Sequence, residues 1–575
     1  MSLMILKKQI SALLKEATEA LGIIIPEDKI TLSFPQHKQF GDLSTNLPLT
    51  IAKDVNQNPQ ELAQKIVANI TDGQKKKLQI EKIDIVAPGF INFTIATEYY
   101  TDLLSTKFTE DTFGTGDNLA GKRIMMEYAH PNPFKSFHIG HLRNIILGES
   151  LIRLLENQGA EVIRVNYQGD VGMHIAKCLW SFMKVDPSLY PQASDEKVAL
   201  LGKCYAEGAT AFEENEESKK EIKEVNKNIY TKEDPKTIEL WNLGKQWSME
   251  KLHEIYKRVG SHFVKEYMET EVTDLGLEKV QIALDKGILK KSDGAIIFDG
   301  AEYGLDTRVF LSSEGLPTYE GKELGIAYRE FTDFGKIDLC IHNVAVEQIS
   351  FFKVTFKVEE LLDETLFKGK QYHNAYEFVG LKKGKMSSRK GDVILGNDIL
   401  NEARDRIRAK IKDESTEHKD QIAETLGVGS IKYSFLKISP KTYLAFDIDE
   451  SVNTEGDSAP YIMYAYTRAQ GILNQVKKTG NNKLEAKEIS EIMLVKHIAK
   501  FPLITLQATN EYAPHSLAAY LYDLAQLFSR FYTECPVLSI KDSAIKESRI
   551  GLTAATAQVL KKGLYLLGIE TIDKM

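Results

Sequence analysis

A chain of 575 residues is too long for one hydrophobic core, so roughly two to four domains are expected. At 43% hydrophobic, 27% charged and a net charge of −8, its composition is ordinary for a globular protein; it excludes a surface coated uniformly for nucleic acid, though not a local basic patch. No apolar run approaches the roughly 20 residues of a membrane span. The four cysteines (Cys178, Cys204, Cys340, Cys535) form no C-x-x-C pair, so neither a zinc site nor a disulfide framework is suggested and a reducing cytoplasm is the expected location.

The chain opens on an amphipathic stretch in which Ile5, Ile10, Leu13 and Leu14 make a helical stripe. Lysines interrupt it and no small-residue cleavage site follows, so it reads as a domain helix and not a signal peptide. "ITLSFP" and "IDIVAPGFINFTI" then alternate as strands do, giving residues 1–115 a mixed α+β character. "RIMMEYA" (123–129) predicts a short apolar strand, and "HPNPFKSF" a loop held irregular by its prolines. A helix carrying Leu142, Ile145, Ile146, Leu151, Leu154 and Leu155 follows, capped near Gly159, then a second strand, "EVIRVNY" (161–167). This is a βαβ unit, and parallel sheets bind ligands at the carboxyl ends of their strands, which places loop 130–138 at a site. Residues 185–300 are charged and helical and read as an insertion. Sheet-like segments return in "GAIIFDG", "TRVFLSS", "IDLCIHNVAV" and "AYEFVGL". From about residue 396 the pattern is helical to the end, with Leu517, Tyr520, Leu521, Leu524, Leu527, Phe528 and Phe531 on one face.

Two short motifs carry chemistry. The first is His138-Ile-Gly-His141 at the start of the helix. Positions i and i+3 share a face, so both rings can point past the helix N-terminus, where free N–H groups and the dipole favour an anion. Gly140 is expected to let a flat group lie against the backbone, and Lys135 adds charge from the loop. The i, i+4 spacing of a helical zinc site is missing. The second motif is "KMSSRKG" (385–391), a loop whose Lys385, Arg389 and Lys390 could neutralise charge on a leaving pyrophosphate, with Ser387 and Ser388 offering hydroxyls and backbone N–H groups.

This pair of motifs resembles the two signatures of the class I aminoacyl-tRNA synthetases. "MEYAHPNPFKSFHIGHLRN", "VNYQGDVGMHIAK", "SAPYIMYAYTRAQGIL" and "QVLKKGLYLLGIE" are similar to the arginyl-tRNA synthetases in particular. The resemblance implies a Rossmann-like α/β catalytic domain (116–395, insertion about 185–300), an N-terminal α+β domain meeting the tRNA elbow (1–115), a connecting helical segment (396–450) and an all-α anticodon-binding domain (451–575). It implies ATP-dependent ligation of L-arginine to tRNA(Arg) through arginyl-adenylate, with Mg²⁺ on the ATP phosphates, no zinc, no membrane, and a cytoplasmic monomer.

By the same resemblance His138, His141, Lys135, Lys385, Ser387 and Arg389 are catalytic, and Gly140, Met386 and Ser388 join His138, His141 and Lys385 in holding ATP. The motif's fourth position, usually lysine in the class, is Ser388 here, and Lys135 is similar to the lysine thought to compensate. A guanidinium presents a planar fork of donors and needs acceptors around it. The matching positions are Glu127, Asn132, Tyr319, Glu323 and Gln348, with Glu347 an alternative to Gln348. The family usually shows aspartate where Glu323 stands. Phe90 and Asn92 are the expected elbow contacts, and Tyr461, Tyr464 and Arg468 the expected contacts to unpaired anticodon bases. Two other readings of the motifs are a different H-x-G-H nucleotidyl transferase and a catalytically silent tRNA-binding relative.

Overall fold

The computed structural model describes residues 3–26, 29–35, 37–107, 112–382, 394–411, 415–476 and 483–573. The N-terminal helix Leu3–Glu19 buries Leu6, Ile10, Leu13 and Leu14 in a core shared with Ile91 and Phe93. Those two side chains come from the central strand of a three-stranded antiparallel sheet, Leu43–Thr45, Phe90–Ile95, Ile80–Val86 in spatial order. Ile5 lies on the opposite side and is exposed, because the buried series runs through Leu3, Leu6, Ile10, Leu13 and Ala17 at steps that pass residue 5 by.

The central unit is a five-stranded, all-parallel sheet in the order Gln371–His373, Leu339–His342, Arg123–Glu127, Glu161–Gln168, Lys265–Met268. The chain enters at the middle strand, Arg123–Glu127, builds outward to one edge and then returns to lay Leu339–His342 on the other side. Strand order therefore reverses between Arg123–Glu127 and Leu339–His342, whose last residues, Glu127 and His342, are register partners. In such sheets the crevice beyond the strand ends at the reversal is where ligands bind.

The edge strand Lys265–Met268 falls inside the stretch expected to be a helical insertion. It is short, polar and paired on one side only, so it carries no apolar run to announce it. The helices that do form the insertion, Ser194–Glu214, Glu216–Thr231 and Pro235–Arg258, close a separate core around Phe182, Leu201, Trp241 and Trp247. "GAIIFDG" and "TRVFLSS" join Lys290–Ser292 in a small antiparallel sheet apart from the main one.

Helices Glu269–Asp285 and Tyr319–Phe334 cross so closely that a Cβ on Gly325 would stand 2.3 Å from the carbonyl oxygen of Val272, and one on Gly276 2.4 Å from that of Gly321. Gly325→Ala is expected to force the pair apart and to cost about 1–3 kcal/mol, read as a lowered denaturation midpoint.

The C-terminal region packs helices Ala459–Leu473, Ile489–Ile498, Phe501–Asn510, Pro514–Glu534 and Ser543–Leu566, and the stripe from Leu517 to Phe531 is buried as its spacing predicts. One departure from all-helix after residue 396 is Leu444–Phe446, which pairs in parallel with Val379–Leu381. The last helix is tied back to the catalytic unit by Ser150 Oγ donating to the carbonyl of Leu566 at 3.0 Å. The four cysteines are free and buried. Among the described residues no helix is long and apolar enough to cross a membrane.

Candidate active site

The helix Ile139–Asn157 begins with an unusual cap made of two histidines. Nδ1 of His138 accepts from the backbone N–H of Gly140 at 3.1 Å and of His141 at 3.4 Å, while Nδ1 of His141 accepts from the N–H of His138 at 3.3 Å. The arrangement is a reciprocal capping box built from imidazoles. The rings stack with centroids 3.7 Å apart and planes at 19°. Both Nδ1 atoms are acceptors, so each neutral ring carries its proton on Nε2 and offers one N–H donor. Burial lowers the pKa of both rings, His141 well below the usual histidine range, with repulsion from Lys135 added at each. At neutral pH these are uncharged donors beside the positive end of the helix dipole. Gly140 also has a local role: a Cβ there would lie 3.0 Å from Cε1 and Nδ1 of His138, so glycine leaves the capping ring its place.

The loop before this helix is held in a costly conformation, with Ala129, His130 and Phe134 at φ of 80°, 52° and 64°. Side chains on other elements hold it. The Ala129 N–H donates to Asn144 Oδ1 at 2.8 Å, that of His130 to Asn166 Oδ1 at 3.0 Å, and that of Phe134 to Ser248 Oγ at 2.9 Å. Asn144 Nδ2 in turn donates to the carbonyl of Asn343 at 2.8 Å, and Asn374 Nδ2 to Asn343 Oδ1 at 2.9 Å. This asparagine chain ties the loop across the strand reversal. Sequence reasoning missed it; the available signal was an asparagine directly after each of two short strands. Asn132 is also engaged, its Oδ1 accepting from the Gly169 N–H at 2.8 Å, and Lys135 is exposed on the loop.

Lys385, Met386, Ser387, Ser388 and Arg389 lie outside the described residues. The segment that follows them is placed: Ile139 N–H donates to the carbonyl of Ile394 at 2.9 Å, and Gly396 N–H to that of Phe137 at 2.8 Å. The chain leaving the second motif is thus hydrogen-bonded to the first, although about 245 residues separate the motifs in sequence.

At the strand reversal lies a cluster of buried carboxyl groups. Glu127 ends its strand; Glu323 and Glu330 share a face of helix Tyr319–Phe334; Glu359 comes from helix Ile349–Leu362. Each has one buried oxygen with no hydrogen-bond partner: Glu127 Oε2, Glu323 Oε1, Glu330 Oε1 and Glu359 Oε1. Glu127 Oε1 stands 3.3 Å from His342 Nδ1. Burial pushes Glu127 up, but the charge and hydrogen bond of His342 outweigh it and hold the carboxyl at about 2. Glu323 is pushed well above the usual carboxylate range, by burial first and then by the charge of Glu127. The hydroxyl of Tyr167, a residue sequence reasoning did not select, is buried and unpartnered beside them, and burial and the neighbouring Glu269, Glu323 and Glu127 keep it protonated. Arg123, at the other end of the same strand, bonds to Glu161 and not to Glu127.

Tyr319 is not brought to this cluster. It starts its helix and is 68% exposed, with Lys322 Nζ 5.6 Å from its ring centre. Gln348 is half-buried at the end of the turn Val346–Gln348, and Glu347 is exposed. Of the expected RNA contacts, Phe90 is exposed, whereas Asn92, in the middle of its sheet, is buried. Tyr461 packs against Tyr522. Tyr464 is exposed, and the Arg468 guanidinium lies 4.4 Å from its ring centre and 4.7 Å from that of Tyr532 on helix Pro514–Glu534. No spacing in the sequence links Tyr532 to this pair.

Comparison with known proteins follows the same three-part division. The tRNA synthetases class I (R) catalytic domain matches residues 105–448, the arginyl tRNA synthetase N-terminal domain residues 4–95, and the DALR anticodon binding domain residues 462–575. The arginine–tRNA ligase of Treponema denticola is 32% identical over 577 residues, covering 97% of both chains, and that of Idiomarina loihiensis 31% identical over 99% of this chain and 100% of its own. The solved arginyl-tRNA synthetase of Thermus thermophilus superposes with a TM-score of 0.81 at 24% identity, over 99% of this chain and 100% of that one. With a parallel catalytic sheet, a helix-capping histidine pair at its strand reversal and these matches across its length, the chain belongs to the arginyl-tRNA synthetase family.

Proposed function

We propose that this protein is an arginine–tRNA ligase in which Glu127 and Glu323 receive the guanidinium and His138 and His141 meet the ATP phosphates. The observation that carries the reading is the set of buried, unpartnered acceptors, Glu127 Oε2, Glu323 Oε1 and Tyr167 Oη, at the end of the strand whose following loop leads into the histidine-capped helix. Unmet buried acceptors are costly, and a guanidinium supplies five donors and the missing positive charge. Lysine reaches one carboxylate and leaves the others unmet.

The arginine carboxylate attacks the α-phosphate of ATP, pyrophosphate leaves, and a hydroxyl of the terminal tRNA ribose then takes the arginyl group while AMP departs. The protein contributes position and charge stabilisation and forms no covalent bond to the substrate. Magnesium enters as the counter-ion of ATP; among the described residues no group of three or more His, Cys, Asp or Glu side chains could hold a metal. Lys135 and the basic residues of the second motif neutralise the remaining phosphate charge. Arg468, between Tyr464 and Tyr532, offers a cation and two flat faces on which unpaired bases stack. Phe90 is the N-terminal contact. The partners are tRNA(Arg), L-arginine and ATP, and the acting species is a monomer.

The other nucleotidyl transferases are not favoured, since a buried receptor for a cation has no use there. A silenced relative would have no use for a buried receptor for a free cation. Charging assays with each of the twenty amino acids and authentic tRNA test the reading: arginine alone is expected to be esterified, and failure to charge arginine overturns it.

A further inference from the structure

The acid cluster holds more carboxyl groups than one guanidinium can use. Glu330 and Glu359 lie behind Glu127 and Glu323 and are fully buried. The base set directly among them is His342. Its ring is fully buried, against Phe352 and Phe356 at 5.0 and 5.2 Å, and both of its nitrogens face oxygen. Nδ1 is 3.3 Å from Glu127 Oε1 and Nε2 is 3.0 Å from Gln371 Oε1. Gln371 Nε2 donates onward to Glu359 Oε2 at 2.8 Å. With the amide N–H groups turned to Glu359, it is the amide oxygen that meets His342, so Nε2 must bear a proton; Nδ1, against a carboxylate, bears one as well. A ring protonated at both nitrogens is an imidazolium.

We propose that His342, seated through Gln371 on Glu359, is a positioning residue for arginine selection: it keeps Glu127 ionised in the empty pocket and occupies Oε1, so that Oε2 is the acceptor presented to the guanidinium. The proposal rests on the reading of Glu127 as an arginine-binding carboxylate. Glu323 provides the internal contrast, since it lies in the same pocket without such a partner and keeps its proton until a cation arrives. One carboxylate is charged in advance and the other becomes charged on binding.

Of the remaining groups around His342, His130 and a hydrogen bond with Glu330 contribute less than His342 to holding Glu127. On its own strand the Cys340 thiol is pushed up to about 12, chiefly by burial, and stays protonated at neutral pH. On the neighbouring strand burial lowers His373 to about 4, so it is neutral, with Nε2 against the carbonyl of Val344 at 2.9 Å. On the loop His130 is lowered by burial, and its Nε2 is 3.9 Å from Glu127. On the packed helices Glu330 is raised well above the carboxylate range by burial and by Glu127, and burial brings Glu359 to about 7. Burial opposes the charge on His342, and with the Cys340 thiol protonated it is the charge and hydrogen bond of Glu127 that favour it.

The test is arginine binding to the full chain, followed calorimetrically at neutral pH in two buffers of different ionisation enthalpy, together with steady-state kinetics. The wild-type protein is expected to release about one proton per arginine, from Glu323. His342→Gln is expected to release about one more, because Glu127 then has to ionise too, and to raise arginine KM by about tenfold or more with kcat and ATP KM within about twofold. An unchanged arginine KM, or a raised KM with the wild-type proton count, overturns the proposal, the second outcome marking a merely structural role. Glu127→Gln separates the two levels of inference. If it raises arginine KM while His342→Gln does nothing, only the role of His342 falls; if it leaves arginine KM unchanged, the reading of Glu127 falls and this proposal with it. Should His342→Gln fail to fold, Gln371→Leu removes the acceptor at Nε2 with the imidazole in place. It is expected to raise both the KM and the proton count, and no change in either overturns the proposal.

Discussion

Alanine at His138 or at His141 is expected to slow adenylate formation by roughly 10²–10³, about 3–4 kcal/mol of barrier, with tRNA affinity within a few-fold of wild type. Each ring offers an Nε2–H to phosphate charge that builds mainly in the transition state, so its loss falls on kcat more than on binding. The structure adds a complication and its remedy. Both histidines also cap the helix through Nδ1, so alanine removes a cap worth about 1 kcal/mol along with the donor. His138→Asn separates the two roles, because asparagine is a strong N-cap but places no donor where Nε2 stands. Tested by arginine-dependent pyrophosphate exchange in the presence of tRNA, asparagine is expected to be nearly as slow as alanine. Recovery to within a few-fold of wild type would mean that the histidines serve the helix and not the phosphates.

The second large effect is expected at Glu323. Glu323→Gln deprives a desolvated guanidinium of a charged partner, which typically costs about 2–5 kcal/mol, so arginine KM should rise by at least about thirtyfold with ATP KM nearly unchanged. The same residue predicts a pH dependence. In the empty pocket burial and Glu127 hold its pKa well above the carboxylate range, and a bound guanidinium draws it down. Binding therefore releases the proton, and affinity must increase with pH until Glu323 ionises unaided. Arginine KM is expected to fall as pH rises through the neutral range, and Glu323→Gln should abolish that slope. Glu323→Asp, which restores the residue the family usually shows, tests the length of the arm: a pocket adapted to glutamate loses more than a few-fold in arginine KM. If neither substitution moves arginine KM, the receptor must be rebuilt around Glu127 with another acid.

Much of the site was legible in the sequence because its signals are local. Alternation and prolines placed a strand, a loop and a helix around His138 and His141, and the spacing of the two rings put them on one face at a helix start. Leu517 to Phe531 announced a buried helix face in the same way. A period of two or of 3.6 is a property of neighbouring residues, and neighbouring residues are what a sequence displays.

The receptor for the cation was legible only in part. Glu127 and Glu323 stood out through the resemblance, and so did Tyr319, which the fold turns outward. The two helical positions differ by one turn: residue 319 starts its helix in solvent, and residue 323 is buried among Glu127, His342 and Glu359. Nothing near Glu330, His342, Glu359, Gln371 or Tyr167 marks them as neighbours, because they come from separate strands and helices and meet only when the sheet closes. The asparagine chain from Asn144 through Asn343 to Asn374 is of the same kind. From its sequence alone this protein determined which segments form strands and helices and where its phosphate-facing motif begins. Only the tertiary structure decided which acids lose water together, and that loss of water turns ordinary glutamates into a charge-deficient receptor, because a carboxyl group's cost and its proton depend on what surrounds it in space.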